Sequence, residues 1–352
     1  VFHLAKAMVE TGDVIKWDAE MVVDKHCIGG IPGNRTTMIV VPIVAAYGLL
    51  IPKTSSRSIT SPAGTADTMD VLADVHLDLK KMKEIVAKEK GCLGWGGAFT
   101  LSPADDIIIA VERPLSIDAQ GQMVASILSK KKAAGSTHIL IDIPVGKSAK
   151  VTSHMAAIQL KKLFEYVASK MYIFVDVIIT DGSEPIGCGI GPVLEAIDVM
   201  KVLKMEKDAP KDLFNKSLEL AGKIIEFDPK VRGGEGRKIA EKILSSGKAL
   251  EKMNRIIDAQ GRKTLKEPGP LNKEILSTKN GVIKEINNQK IAKCAKLAGA
   301  PEDVRAGICL YKKVGENVQN GEPLFAIYAE QDADLGFALE FWEKHKEMVV
   351  VE

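Results

Sequence analysis

The sequence has 352 residues, enough for two or three domains, and its 46% hydrophobic and 27% charged residues are ordinary for a globular protein. The 48 lysines and arginines nearly balance the 46 aspartates and glutamates, so bulk charge does not indicate a nucleic-acid-binding or membrane-surface protein. Five dispersed cysteines imply neither a disulfide framework nor a zinc site, and we expect a cytoplasmic protein.

The N-terminal end carries no targeting signal that we recognise. The chain begins Val1-Phe2-His3, without the basic and apolar segments of a signal peptide, and we expect a fragment of a longer protein. The longest apolar stretch, residues 38–51, is shorter than the roughly 18 residues of a membrane span. We therefore expect no membrane partner.

Helix-type and strand-type segments alternate through the first two hundred residues. Residues 39–50 and 120–134 have helical character, whereas residues 138–145 and 174–180 are short β-branched runs typical of strands. This alternation predicts an α/β domain with a largely parallel or mixed sheet. The amphipathic helices that we expect to form a further layer are residues 192–203, 211–225 and 236–259.

A turn-rich segment, residues 266–270, predicts a linker to a C-terminal α+β unit. Its glycine-bounded strand around residues 313–325 has the pattern of the hammerheads of biotinyl and lipoyl carriers. No lysine occupies the tip of a hairpin in the carrier context, so we favour a structural unit over a carrier domain.

The first segment that could bind a ligand or take part in catalysis is residues 24–37, DKHCIGGIPGNRTT, between a predicted strand and a predicted helix. A glycine-rich turn at the start of a helix presents backbone N–H groups and the positive end of the helix dipole to an anion. It matches neither a P-loop nor a dinucleotide fingerprint. An anion site and a plain tight turn both remain open.

The second segment is residues 53–67, KTSSRSITSPAGTAD, which also follows an apolar run. Hydroxyl groups around Arg57 suit phosphate oxygens, although a solvated loop has the same composition. Two such loops after successive strands favour a ligand, because open α/β sheets bind ligands at the carboxyl ends of their strands.

A third segment places Ser126 and Lys130 four residues apart, and therefore on one face of a predicted helix. Asp118 precedes this helix, where a carboxylate can act as an acid, a base or an N-cap. Lys150 follows a predicted strand, where a solvated loop and a ligand contact are equally open. His76, His138, His154 and His345 have no spacing that suggests a metal site.

The segments DKHCIGG, KTSSRSITSPAGTAD, LSPADD, ASILSKK and GSTHILIDIPVGKSAK, in this order, resemble the pyrimidine-nucleoside phosphorylase family, which includes thymidine and AMP phosphorylases. The resemblance is greatest to the branch of type 2 thymidine phosphorylases and AMP phosphorylases. It implies a small helical lobe, here incomplete, from residues 1–15 and 103–133, and a large mixed-sheet α/β lobe from residues 16–102 and 134–265. Residues 275–352 would form a hammerhead-like α+β unit.

The resemblance also implies the reaction and the site. Inorganic phosphate would attack C1′ of a nucleoside, with no cofactor and no metal, and the full-length protein would be a homodimer. The implied catalytic residues are Asp118, His26 and Lys130. The implied phosphate ligands are Lys25, Cys27, Thr37, Ser55 and Thr65. The implied substrate contacts are Gly30, Ser56, Arg57, Ser58, Ile59, Thr60, Ser61, Ser126 and Lys150.

The family leaves the substrate open between two classes. The residues of the motifs favour thymidine phosphorylase, which gives thymine and 2-deoxyribose 1-phosphate. The hydroxyl-rich loop around Arg57 favours an AMP phosphorylase, which acts on nucleoside 5′-monophosphates and gives ribose 1,5-bisphosphate. A non-catalytic protein that binds a phosphate or a sugar phosphate is the third hypothesis.

Overall fold

The protein is described by a computed structural model that covers residues 1–58, 61–99, 101–115 and 119–352. Its helices are α1 (Phe2–Glu10), α2 (Thr37–Tyr47), α3 (Thr65–Asp70), α4 (Leu79–Glu89), α5 (Pro103–Leu115), α6 (Gln120–Ala133), α7 (His154–Lys170), α8 (Pro192–Leu203), α9 (Lys211–Ile225), α10 (Gly236–Ser245), α11 (Lys248–Gln260), α12 (Asn288–Leu297) and α13 (Asp332–Lys344). Its strands are β1 (Val23–Cys27), β2 (Ile51–Ser55), β3 (Gly91–Trp95), β4 (His138–Val145), β5 (Phe174–Asp181), β6 (Gly189–Ile190), β7 (Leu271–Leu276), β8 (Gly281–Ile286), β9 (Gly307–Leu310), β10 (Asn317–Val318), β11 (Pro323–Ala329) and β12 (Val349–Val351).

The first five strands run parallel. β1 pairs with β4 and β4 with β5, while β2 pairs with β3. A parallel bridge between Val22 and Leu50 joins the two groups, which gives the order β3-β2-β1-β4-β5. The carboxyl ends of β1, β2 and β4 therefore lie at one edge of the sheet, where an α/β sheet binds its ligands.

Helices cover both faces of this sheet. The almost wholly buried helix α2 packs with α8, α9, α10 and α11 against the face that contains Val23 and Leu140. Helices α1, α6 and α7 pack against the opposite face, which contains Ile139 and Ile141. Side chains alternate between the two faces along a strand, so the polar residues of β1 are divided between two environments.

The C-terminal residues form an α+β unit around a separate apolar core, to which Ile31 and Ile190 of the preceding part of the chain also contribute. One sheet has the order β10-β8-β12 and the other the order β6-β9-β11-β7. The short strand β6 belongs to the segment before α8, so the preceding lobe contributes one strand to the C-terminal sheet. At the start of α12, the Asn288 side chain donates to Gly182 O over 2.9 Å and thereby joins the unit to the end of β5.

These observations confirm the predicted α/β fold class with its parallel sheet, and they correct two predicted helices. The helix predicted over residues 39–50 ends at Tyr47, because Gly48 has a φ of +118° and the chain then turns into β2. The helix predicted over residues 236–259 is two helices, with Gly247 at a φ of +79° between them. None of the helices in the described ranges is long and apolar enough to cross a membrane.

Candidate active site

Two of the predicted phosphate ligands, Lys25 and Thr37, lie together on the α2 face of β1, where the Lys25 ammonium group is buried. Lys25 Nζ donates to Thr36 Oγ1 over 2.7 Å, and Gly33 O and Thr37 Oγ1 each lie 3.4 Å away. These three partners are neutral oxygen atoms. Burial lowers the pKa of Lys25, a cost that an incoming anion would offset.

A second buried lysine lies beneath the same loop. Lys216, on α9, donates to Pro32 O over 3.0 Å, and its Nζ is 3.6 Å from the Asp142 carboxylate on β4. The sulfur of Cys27 lies in this group, and burial together with Asp142 raises the pKa of Cys27 to about 11. Cys27 is therefore a neutral thiol and a weak hydrogen-bond donor.

The two hydroxyl-bearing loops are joined to each other through Asn34. The Asn34 amide donates to Ala63 O over 2.8 Å, and Thr65 Oγ1 donates to Asn34 Oδ1 over 3.0 Å. At the end of β2, Ser55 Oγ is buried and has no hydrogen-bond partner among the described residues. A buried hydroxyl of this kind is a candidate ligand for a phosphate oxygen.

The Arg57 side chain forms ion pairs with two nearby carboxylates. Its guanidinium group lies 2.9 Å from Asp67 and 2.8 Å from Asp70, and it stacks over the ring of Trp95. Asp67 Oδ2 also accepts from the backbone N–H groups of Ser58 and Gly64. The pairs thus fix the shape of the loop and satisfy the charge of Arg57.

The remaining residues that are predicted to contact the substrate at this edge of the sheet differ in exposure. Gly30, with a φ of +64°, Ser56 and Lys150 are exposed, whereas Ser61 is partly exposed and donates to Ala63 O. Ser58 also donates to Ser61 O. Ile59 and Thr60 lie outside the described residues, as does Asp118, the candidate proton donor.

The opposite face of β1 carries an ion-paired group formed by Asp24, Lys53 and Lys131. The Asp24 carboxylate lies 2.7 Å from Lys131 Nζ, on α6, and 3.7 Å from Lys53 Nζ, on β2. All three side chains are buried. Burial alone would raise the pKa of Asp24, but the two ammonium groups lower it below its usual value.

His26 lies on the same face of β1 as Asp24. Burial and the ammonium groups of Lys131, Lys53, Lys25 and Lys150 lower its pKa well below the usual value. His26 is therefore a neutral imidazole at physiological pH, with one nitrogen as a donor and the other as an acceptor.

Ser126 and Lys130 share one face of α6, as their spacing predicted, and both contact Asp105 on α5. Ser126 Oγ donates to Asp105 Oδ2 over 2.7 Å, and Lys130 Nζ lies 2.9 Å from the same oxygen. Asp105 is fully buried, whereas the Lys130 side chain is 35% exposed. The next residue, Lys131, contacts Asp24, so α6 is joined to β1 as well as to α5.

Sequence reasoning missed several polar residues of this region. Thr36, rather than Thr37, makes the shortest contact with Lys25. Asp24, Lys131 and Asp105 were visible in the motifs but received no role, because their partners are distant in sequence. Their burial is the signal that only the fold provides.

Comparison with known proteins shows the family of the chain. Residues 19–250 match the family described as glycosyl transferase family, a/b domain, and residues 282–345 match the pyrimidine nucleoside phosphorylase C-terminal domain. The chain belongs to the thymidine/pyrimidine nucleoside phosphorylase family. It is similar to proteins named "Putative thymidine phosphorylase" from Albidiferax ferrireducens, with 58% identity over 342 residues, and from Legionella pneumophila, with 52% identity over 351 residues.

These alignments cover 96% of the chain and 66% of the Albidiferax protein, and 100% of the chain and 68% of the Legionella protein. The chain thus spans about two thirds of the length of the curated relatives it matches. Among solved structures, it is similar to an anthranilate phosphoribosyltransferase from Thermus thermophilus, with a TM-score of 0.56, 18% identity and coverage of 73% of this chain and 83% of that one. This second likeness concerns the fold alone.

Proposed function

We propose that the protein to which this chain belongs catalyses phosphorolysis of thymidine, giving thymine and 2-deoxyribose 1-phosphate. Inorganic phosphate is the co-substrate, and the family chemistry requires neither a metal nor a cofactor from this chain. A phosphate oxygen forms a bond to C1′ while the bond from C1′ to the base nitrogen breaks, and the base leaves with the electron pair. The homodimer and the cytoplasmic location implied by the resemblance belong to the same proposal.

The buried Lys25 ammonium carries this proposal. It lies among the neutral oxygens of Thr36, Gly33 and Thr37, at the carboxyl edge of a parallel sheet and next to a glycine-rich turn. A dianion in this position would pair with a cation that has only neutral partners at hydrogen-bond distance within the described residues. Ser55, at the end of β2, would add a hydroxyl donor, and Thr65, at the start of α3, would donate to the phosphate once its proton leaves Asn34 Oδ1.

Charge stabilisation, rather than a covalent intermediate, accounts for the chemistry. Phosphate held at the sheet edge and a base held by α6 would be positioned on either side of the glycosidic bond. Lys130 would stabilise the negative charge that develops on the leaving base, and neutral His26 would supply a hydrogen bond. Asp118 is the proposed proton donor by resemblance to the AMP-type branch.

The alternative substrate is a nucleoside 5′-monophosphate, and the structure of the second loop helps to choose between the two substrates. Its hydroxyl groups suit a 5′-phosphate, but Arg57 is paired with two carboxylates and offers such a group less positive charge than the sequence suggested. This pairing supports the nucleoside over the nucleotide.

The test is phosphate-dependent release of free base from thymidine, uridine, AMP, CMP and UMP, measured in parallel with the full-length protein and with this chain. We expect turnover of thymidine or uridine by the full-length protein, with no release when phosphate is omitted. Turnover of monophosphates alone would establish the alternative, and failure on all five substrates would favour a non-catalytic binding protein.

A further inference from the structure

Asp105 is a buried carboxylate that organises one face of α6. It accepts hydrogen bonds from Ser126 Oγ over 2.7 Å and from Gln122 Nε2 over 3.3 Å, and it lies 2.9 Å from Lys130 Nζ. These three partners are spaced by four residues and so form one stripe of the helix. The stripe contains both residues of α6 that the family resemblance assigns to the substrate.

The contact with Asp105 fixes the direction of the Ser126 hydroxyl. A carboxylate only accepts hydrogen bonds, so Ser126 must donate its single proton to Asp105. The Ser126 oxygen then offers only lone pairs to any further partner. Lys130 differs, because an ammonium group has three protons and donates to a further acceptor while it keeps Asp105.

We propose that Asp105 is a positioning residue that determines which bases the site accepts. With Ser126 held as an acceptor beside the donor Lys130, the site recognises a base edge on which a ring N–H lies next to a carbonyl oxygen. Uracil and thymine have this edge, and so does hypoxanthine. Cytosine and adenine present an unprotonated ring nitrogen in its place, which would face the lone pairs of Ser126.

This inference rests on the proposed function, because it takes the base-binding role of Ser126 and Lys130 from the family. It goes further by assigning a role to Asp105 and by ranking bases within the purines as well as within the pyrimidines. A buried polar group that faces a mismatched partner loses about 10- to 100-fold in affinity.

The test is calorimetric binding of uracil, cytosine, hypoxanthine and adenine to the full-length protein and to this chain, with phosphate present. We expect uracil to bind about 10- to 100-fold more tightly than cytosine, and hypoxanthine to bind more tightly than adenine by a similar factor. Equal affinities within both pairs, or no binding of any base, would overturn the inference.

Two variants separate this role from simple structural support. Asp105→Ala releases the Ser126 hydroxyl to rotate, so the uracil-to-cytosine affinity ratio should fall about tenfold or more while the affinity for phosphate is retained. Asp105→Asn keeps an acceptor oxygen and should preserve most of the ratio, which also provides a measurement if the alanine variant fails to fold. An unchanged ratio in Asp105→Ala, or loss of the ratio in Asp105→Asn with phosphate binding intact, would contradict the role.

The outcomes also distinguish this inference from the proposed function. Selective binding of uracil without phosphorolysis of any nucleoside would refute the function and support the inference. Efficient phosphorolysis of cytidine or adenosine, equal to that of uridine, would support phosphorolysis and overturn the inference.

Discussion

The two faces of β1 place the buried residues Lys25 and Lys131 in different electrostatic settings. On one face, the hydrogen-bond partners of Lys25 Nζ within the described residues are neutral oxygen atoms, and the Asp142 carboxylate, which partly offsets the lowering of the Lys25 pKa, lies 3.6 Å from Lys216 Nζ. On the other, Lys53 and Lys131 share the Asp24 carboxylate. A buried cation with neutral neighbours is suited to an external anion, whereas one with a carboxylate stabilises the packing of its own elements. Adjacent residues of one strand thus contribute to the proposed phosphate site and to the attachment of α6.

The largest effect should follow removal of Asp24, because it leaves two buried ammonium groups without a carboxylate. We expect Asp24→Ala to lower the free energy of unfolding by about 3–5 kcal/mol, measured by chemical denaturation. Asp258→Ala is the matched control, since Asp258 is an exposed partner of Arg262 and should matter little. Equal stability of the two variants would show that the Asp24 group does not hold the fold.

Replacement of Lys25 should lower the activity strongly without a comparable loss of stability. We expect Lys25→Met in the full-length protein to lower kcat/KM about 10²- to 10³-fold, because it removes a preorganised cation from the phosphate site. The control is Lys344→Met, on the exposed side of α13. If Lys25→Met retained its activity, the contrast between the two faces would fail.

Acidification should lower the free energy of unfolding through His26, which lies on the same face of β1 as Asp24. The folded-state pKa of His26 lies well below 6.5, so below pH 6.5 the unfolded chain binds a proton that the folded chain does not. This contribution to stability is present above the unfolded value and is lost as the pH falls. We expect His26→Asn to reduce the loss of unfolding free energy between pH 7 and pH 5 by about 1–2 kcal/mol.

The control for this measurement is His345→Asn, which changes an exposed ring on the C-terminal unit. It should leave the pH dependence as in the wild type. A steeper acid loss in His26→Asn than in the wild type would contradict the assigned direction of the His26 pKa.

The smallest effect concerns the link between the two loops. Asn34→Ala removes the hydrogen bonds to Ala63 and Thr65 and should raise the KM for phosphate about tenfold, with a lesser change in kcat. Asn215→Ala, at an exposed position of α9, is the matched control. An effect on kcat alone would show that Asn34 does not position the phosphate loops.

The sequence was sufficient to predict the loops of the candidate site but not the buried charged residues beneath them. Glycine and hydroxyl residues directly after apolar strands are a local signal, and the parallel sheet brings such loops to one edge. The partnership of Asp24 with Lys131 joins residues 107 positions apart, and Lys131 belongs to a lysine run that is typical of a solvated helix face. The contacts of Asp105 were likewise not predictable, because they depend on the packing of α5 on α6.

Local signals also failed at two boundaries. Apolar character continues through Leu50, so the end of α2 at Tyr47 depended on the left-handed conformation of Gly48. The amphipathic pattern is likewise uninterrupted across Gly247, where the chain divides α10 from α11. Composition predicted a C-terminal unit, but the pairing of β6 with β9 depends on tertiary structure.

The most direct measurement is a calorimetric titration of inorganic phosphate into this chain and into its Lys25→Met variant, with melting temperatures recorded for both. We predict binding of one phosphate per chain in the wild type and at least about 100-fold weaker binding in the variant, with little change in melting temperature. Equal affinity in the two proteins would contradict the assignment of the Lys25 face to the phosphate of the reaction.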